Sequence, residues 1–419
     1  ALAAAARRRR RRRGLDFDAG FDRRALFTVK HDLKGLLFGA GEDAIPMWVA
    51  DADLPICPEI HRAICERAAQ PSFGYTIQPR ELWEAVAAWH RERHGWAIDP
   101  SSFVFSNSTL TAASFCVRAF SEPGDAVLVL TPLFAPLQEV VEGDGRRLVR
   151  HSLQQGPWAA EERQPGREGH RSPTYYIDFD RLEEQIAQEA VRLLIFCNPH
   201  NPAGRVWLPA ELQRLTEICE RHGVLVICDE IHADWCLFGS RHTPLATVAP
   251  ANRVVTLGGP GKTFWIQGLQ NSFIVLQDEE LRRRYMALVE HTHNHEGGVL
   301  ATACMMAAYR LGGPWLEQAK RYIEGNILEV ERFLAERVPE VTAWRPMATI
   351  LVWLDFSGLQ MAAEEVQSML IKAGLVLSSG DSFGSDAANF QRMNVACSRR
   401  VLRTALQRLE AAVKSRRSQ

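Results

Sequence analysis

The sequence predicts an α/β protein: a mostly parallel β-sheet covered by helices on both faces, followed by a smaller α+β unit. Three observations lead there. Short apolar runs recur at Leu193–Cys197, Val224–Cys228, Val254–Leu257 and Phe273–Leu276, each the length of a strand buried on both faces. Helical patterns lie between several of them, notably Glu211–Arg221, and strands alternating with helices build parallel sheets. The last third changes character, with long helical patterns and few strand-like runs.

Taken in order, residues 14–55 read as irregular and contain Pro46-Met47-Trp48-Val49-Ala50-Asp51. The spacing of Ile60, Ala63, Ile64 and Arg67 predicts a helix from about Pro58, and Leu82, Val86 and Trp89 predict another that stops at Gly95. Phe103-Val104-Phe105 is a short apolar run, Leu110–Phe120 an apolar stretch, and Val127–Leu130 a buried strand. Between Gln154 and Thr174 the chain turns polar, with Gly156, Pro157, Pro165, Gly166 and Gly169, which predicts a surface loop or insertion. Beyond the strand-rich region come helices over Val299–Arg310 and Trp315–Arg337. A run at Ile350–Asp355, a helix near Ala362–Ala373, a run at Leu375–Leu377 and a last helix from about Arg400 complete the chain. No internal repeat is visible.

Composition narrows the class. A chain of 419 residues, 46% hydrophobic, can bury one large core or two. A net charge of -1 advertises no nucleic-acid surface outside the extreme N-terminus, where Arg7 through Arg13 read as a solvated tail. Alanines precede those arginines, the reverse of the order in a secretory signal. No apolar run approaches the roughly 18 residues of a membrane helix. The nine cysteines are scattered without a Cys-x-x-Cys pair, as expected of reduced thiols in the cytoplasm. Cys197 and Cys228 read as small buried hydrophobes.

The chemistry lies at three strand ends. Cys197-Asn198-Pro199-His200-Asn201-Pro202-Ala203-Gly204, Cys228-Asp229-Glu230-Ile231-His232 and Gly258-Gly259-Pro260-Gly261-Lys262-Thr263-Phe264 each follow an apolar run. A lone lysine is usually a solvated charge, and a lone Asn-Pro-x-Gly is usually a turn. An amide, a carboxylate and a lysine ending three successive strands suit pyridoxal 5′-phosphate (PLP). The lysine holds the aldehyde as a Schiff base, the aspartate pairs with the pyridine nitrogen, and the amide donates to the ring oxygen. Ser106-Asn107-Ser108-Thr109-Leu110 opens an apolar stretch and by itself reads as an ordinary helix cap. Beside the lysine motif, a hydroxyl-rich helix N-terminus becomes a phosphate site.

These residues carry a family resemblance. The chain resembles the fold-type-I PLP enzymes, the aminotransferase superfamily, and within them the cystathionine β-lyase-type C–S lyases. The matching segments are Pro46–Asp51, Phe73-Gly74-Tyr75-Thr76, Asn198–Gly204, Asp229-Glu230-Ile231-His232-Ala233-Asp234, Lys262-Thr263-Phe264 and Phe390-Gln391-Arg392-Met393-Asn394. The resemblance implies a large PLP-binding domain with a mostly parallel seven-stranded sheet between helices, and a smaller α+β C-terminal domain. It implies a division into a disordered tail (1–13), an N-terminal arm packing on the small domain (14–57), the large domain (58–298) and the small domain (299–419).

The resemblance also implies roles. Lys262 is the catalytic residue. Ser108, Thr109, Phe134, Asn201, Asp229, His232 and Tyr75 bind the cofactor, Phe134 by stacking on its ring and Tyr75 by reaching the phosphate of the neighbouring subunit in a homodimer. Arg392 clamps the substrate α-carboxylate with its planar fork, and Trp48, Ala50 and Asp51 complete the substrate side. No metal, nucleic acid or membrane is implied. The histidines of His291–His295 are read as part of a loop near the dimer interface.

The chain departs from its relatives in ways that bear on function. Gly261 and Gly259 stand where relatives carry serines, so cofactor grip should rest more on backbone N–H groups and Tyr75. Trp265 stands where asparagine is common, and its indole should reshape the substrate side. The expected reaction is β-elimination from an S-substituted L-cysteine, giving a thiol, pyruvate and ammonia. Its rivals are aminotransfer, a decarboxylating or oxidative deamination of a cysteine conjugate in natural-product biosynthesis, and a PLP-binding regulator.

Overall fold

A computed structural model describes residues 16–157, 173–294 and 297–417. The expected tail and His295 lie outside the described residues. The central sheet has seven strands: β1 (Phe103–Ser106), β2 (Ala126–Thr131), β3 (Arg147–Ser152), β4 (Val191–Cys197), β5 (Leu225–Asp229), β6 (Val254–Gly258) and β7 (Ser272–Val275). Their order is β1-β7-β6-β5-β4-β2-β3. The pairings from β3 across to β6 are parallel, and β7 runs antiparallel to both its neighbours. The expected α/β architecture is present, with one reversed strand.

Strands β2, β5 and β6 are buried at every residue, which is why they read as unbroken apolar runs rather than alternating ones. Successive residues still face opposite layers. Leu194 and Val226 pack with Leu182 and Ile186 of helix Phe179–Gln188 and with Leu212, Leu215 and Ile218 of helix Pro209–Arg221. Ile195 and Ile227 pack with Ala113 and Val117 of helix Thr109–Phe120, Leu137 and Val141 of helix Ala135–Gly143, and Tyr285 of helix Glu279–His291. The register sets Cys197 opposite Asp229 and Asp229 opposite Leu257. The ends of β4, β5 and β6 therefore fall level along one edge of the sheet.

A second, antiparallel sheet is built from β8 (Thr342–Trp344), β9 (Leu351–Asp355), β10 (Ser378–Ser379) and β11 (Phe390–Asn394), in the order β8-β9-β11-β10. The 25-residue helix Gly313–Arg337 places Ile323, Ile327, Val330 and Leu334 in one core with Leu351, Leu354, Leu402 and Leu406. Helix Val299–Leu311 rests on helix Arg80–His94, where Tyr309 meets Trp89 edge-on at 5.6 Å. The N-terminal segment joins the C-terminal third: Ile45–Pro46 pairs in parallel with Leu375–Val376, and the Asp53 N–H donates to the Ala396 carbonyl at 2.8 Å.

Two stretches differ from expectation. Residues 14–55 hold short helices at Val29–Asp32 and Lys34–Phe38 as well as the Ile45–Pro46 strand. A one-turn helix carries no apolar period to read; here a buried lysine secures one of them, Lys34 Nζ donating to the Ala44 carbonyl at 2.7 Å. The ends of the expected loop at 154–174 pair with each other, Gln154–Gly156 antiparallel to Thr174–Tyr176, with polar residues that show no alternation. No helix among the described residues is long and apolar enough to cross a membrane.

Candidate active site

A cavity of ≈ 230 Å³ opens where β4, β5 and β6 end, and Lys262, Asp229, Asn201, His232 and Phe134 line it. Lys262 stands on a short helix, Pro260–Phe264, that follows β6 directly. Its Nζ donates to the Ala50 carbonyl at 2.7 Å. Burial pushes the ammonium down to about 8, with Arg392 adding to the effect and Asp51 and Asp229 opposing it. The neutral amine is therefore much more accessible near neutral pH than that of an exposed lysine. The indole of Trp235 donates to the Lys262 carbonyl at 2.8 Å and holds the helix in place.

Asp229 ends β5 and is buried. Burial raises its carboxyl to about 7, against the lowering effects of the Ile231 N–H and Lys262. A cationic N–H placed beside it would restore the charge. Asn201 follows β4, and its Oδ1 accepts from Arg392 Nη1 at 3.0 Å. A guanidinium only donates, so this contact identifies the oxygen and leaves Nδ2 as the amide's free donor. Burial, then the charges of Lys262 and Arg392, push His232 down to about 3, so its ring is neutral.

Arg392 lies in β11 and is 4% exposed. Its Nη2 donates to the Trp48 carbonyl at 2.9 Å and to Ser378 Oγ at 3.3 Å, and the guanidinium lies 4.7 Å from the centre of the Phe383 ring. Nε has no partner, and no carboxylate pairs with Arg392 among the described residues. Burial alone lowers it to about 9. A buried cation without a counter-ion is costly unless a ligand supplies one.

Ser108 caps helix Thr109–Phe120, its Oγ accepting from the Thr111 N–H at 3.0 Å. Ser108 and Thr109 both line the cavity, so the cap and the positive end of the helix sit at the same place. Ala50 contributes its carbonyl. Trp48 also contributes a carbonyl, while its indole turns away to donate to the Lys30 carbonyl at 3.1 Å and to pack on Phe38. The Asp51 carboxylate is held by Arg23 at 2.7 Å and by Gln267 Nε2 at 2.9 Å. Asn394 Nδ2 donates to the Asp51 carbonyl at 2.8 Å and ties the segment to β11. Tyr75 is 96% exposed and is absent from the lining of the cavity in its own chain.

Trp265 corrects an expectation. Its indole does not line the cavity. It stacks on Trp235 at 5.6 Å and meets Trp315 edge-on at 4.7 Å. The left-handed backbone at Trp265 (φ 59°) ends the lysine helix and sends the ring into this aromatic core. The expectation ranked the residue by size, whereas its direction was decided by the turn. Cys197 and Cys228 are buried, and burial raises both thiols well above the usual range. Gln267, Asn271 and Ser272 line the cavity without having been singled out. They follow Lys262 closely in sequence, but only the antiparallel return of β7 beside β6 brings Ser272 back to the lysine turn.

Comparison with known proteins agrees with this geometry. Residues 47–409 match the family described as aminotransferase class I and II. The chain is 39% identical over 404 residues to the cystathionine beta-lyase PatB of Bacillus subtilis (strain 168), covering 95% of this chain and 100% of that protein. Among solved structures, cystalysin from Treponema denticola, which contains pyridoxal 5′-phosphate, superposes with a TM-score of 0.88 at 28% identity, covering 96% of this chain and 100% of the other. The PLP-bound C–S lyase from Staphylococcus hominis gives 0.85 at 30% identity, covering 96% and 99%. With a lysine, an aspartate and an asparagine on three level strand ends and a match spanning most of its length, the chain belongs to the class I and II aminotransferase family.

Proposed function

We propose that this protein is a PLP-dependent carbon–sulfur β-lyase that cleaves an S-substituted L-cysteine to a thiol, pyruvate and ammonia. The observation that carries the reading is the 39% identity, along 95% of the chain, to a cystathionine β-lyase. The residues fit the cofactor. A buried amine with a lowered pKa suits its aldehyde, and a buried carboxyl raised by burial suits its ring nitrogen. A helix N-terminus stands ready for its phosphate.

Bound here, PLP supplies an electron-withdrawing ring that stabilises negative charge on the substrate's Cα. Lys262 Nζ would hold the cofactor's aldehyde and, as a buried amine with a lowered pKa, would be the base that takes the substrate's Cα proton. Asp229 would keep the ring nitrogen protonated, and Asn201 Nδ2 would donate to the ring oxygen, with the neutral ring of His232 also lining the cavity. Phe134, which lines the cavity, would pack against the ring. Arg392 takes the α-carboxylate as the counter-ion it lacks within the chain, and so orients the substrate toward Lys262. Trp48 and Asp51 shape the substrate side mainly through the backbone, with the Asp51 side chain locked by Arg23.

The working unit on this reading is a homodimer in which Tyr75 reaches the phosphate in the partner's site. The exposure of Tyr75, with Phe73 and Ile77 beside it also exposed, supports this. The setting is the cytoplasm, in keeping with nine free cysteines.

A product census with cystathionine and bulkier cysteine conjugates tests the reaction. Pyruvate, ammonia and free thiol in equal amounts are expected. Pyridoxamine phosphate with a keto acid would make the protein an aminotransferase, and carbon dioxide with an aldehyde would make it a decarboxylating enzyme.

A further inference from the structure

We infer that Ser272 is a cofactor-anchoring residue: its Oγ donates from the first position of β7 to the phosphate, between the helix N-terminus at Ser108 and the lysine turn. This rests on the PLP reading above and adds a residue to it.

The position comes from the register. Ser272 faces Ser106, the last residue of β1, and its neighbour Phe273 faces Gly258, the last residue of β6. From Ser106 the chain reaches the helix cap in two residues; from Gly258 it reaches Lys262 in four. Ser272 thus sits where the two loops converge, and it lines the cavity with Ser108, Thr109 and Gly261.

The space over the lysine turn is already taken by this side chain. A Cβ at Gly259 would fall 2.9 Å from both Ser272 Oγ and Ser272 Cα, closer than a real Cβ comes. A side chain at 259 is therefore excluded, and the hydroxyl there arrives from the adjacent strand. Three neighbouring hydroxyls are engaged. Ser106 Oγ donates to the Ser108 carbonyl at 2.9 Å, Ser108 Oγ serves the helix cap, and Thr263 Oγ1 donates to Asp234 at 2.9 Å. Ser272 is only 6% exposed, and its Oγ has no hydrogen-bond partner among the described residues. The hydroxyl is thus free to donate into the cavity that Ser272 lines. A phosphate oxygen at the helix N-terminus would accept from it in a short, charge-assisted bond.

The test compares PLP with pyridoxal, which keeps the aldehyde and ring but lacks the phosphate. Full-length protein stripped of cofactor is titrated with each and followed by absorbance, which does not depend on turnover. Ser272→Ala should weaken PLP binding on the order of tenfold to a hundredfold, the range of one hydrogen bond to a charged group. Its affinity for pyridoxal should stay within about twofold. The ratio of the two affinities cancels any general loosening of the site. If the alanine variant does not fold, Ser272→Cys, similar in size but a poor donor, should change the ratio in the same direction. An unchanged ratio, whether both ligands keep their affinity or weaken together, overturns the inference. Failure of the wild-type protein to bind PLP would overturn the cofactor reading itself, a separate result.

Discussion

Replacing Arg392 probes the substrate side most directly. The guanidinium is 4% exposed and donates only to neutral acceptors: the Asn201 amide, the Trp48 carbonyl and the Ser378 hydroxyl. The substrate α-carboxylate would be its first counter-ion, in a buried pair. Truncating one partner of such a pair costs about 2–5 kcal/mol. At about 1.4 kcal/mol per factor of ten, Arg392→Ala should lower kcat/KM on the order of 30-fold to several thousand-fold. Part of that cost has another origin, because Asn201 Oδ1 and the Trp48 carbonyl also lose a donor. Arg392→Lys helps separate the two: it retains the charge without the planar fork and should recover only part of the loss. PLP affinity, read from the absorbance of the bound cofactor, should fall by less than about tenfold, since Arg392 touches the cofactor side only through Asn201. A variant with near wild-type kcat/KM, or one whose PLP affinity falls as far as its kcat/KM, would refute the carboxylate role.

Three further outcomes are expected. Asp229 is raised to about 7 by burial, so in cofactor-free protein its ionisation costs stability increasingly as pH rises from the unfolded value of about 3.9 toward 7. Asp229→Asn should therefore raise the Tm of that protein more at about pH 8 than at about pH 5, while PLP binding weakens; a gain independent of pH would remove the burial argument. Trp265→Ala should cost about 3–5 kcal/mol of stability in denaturant unfolding and leave KM nearly unchanged, because the indole lies in the Trp235–Trp315 cluster; a large KM effect on an unaltered stability would place the ring against substrate. Finally, mixing Lys262→Ala with Tyr75→Phe subunits should restore activity after exchange, as one of the two sites in each mixed dimer carries neither change; no recovery, despite mixed dimers being detected, argues against a shared site.

The strands were legible because burial on both faces leaves continuous apolar runs, as in Val254–Leu257, and the motifs after them were legible because each is local. The order of asparagine, aspartate and lysine pointed to one cofactor before any contact was known. The short helices near Lys30 and Lys34 were not legible, since a single turn held by buried lysines leaves no periodic trace. Ser272 was passed over for a different reason: its sequence context is an ordinary strand start.

The sequence alone determined the fold class and the three strand-end side chains, because those follow from local patterning and residue chemistry, while Arg392 as a carboxylate partner was an expectation carried by the family resemblance. Only the tertiary structure decided where side chains of known identity point. The left-handed turn at Trp265 took a large ring out of the cavity, and Arg23 and Gln267 fastened the Asp51 carboxylate. The antiparallel pairing of β7 laid Ser272 over Gly259. Such placements depend on strand register and backbone direction across residues far apart in the chain, and no local pattern encodes them.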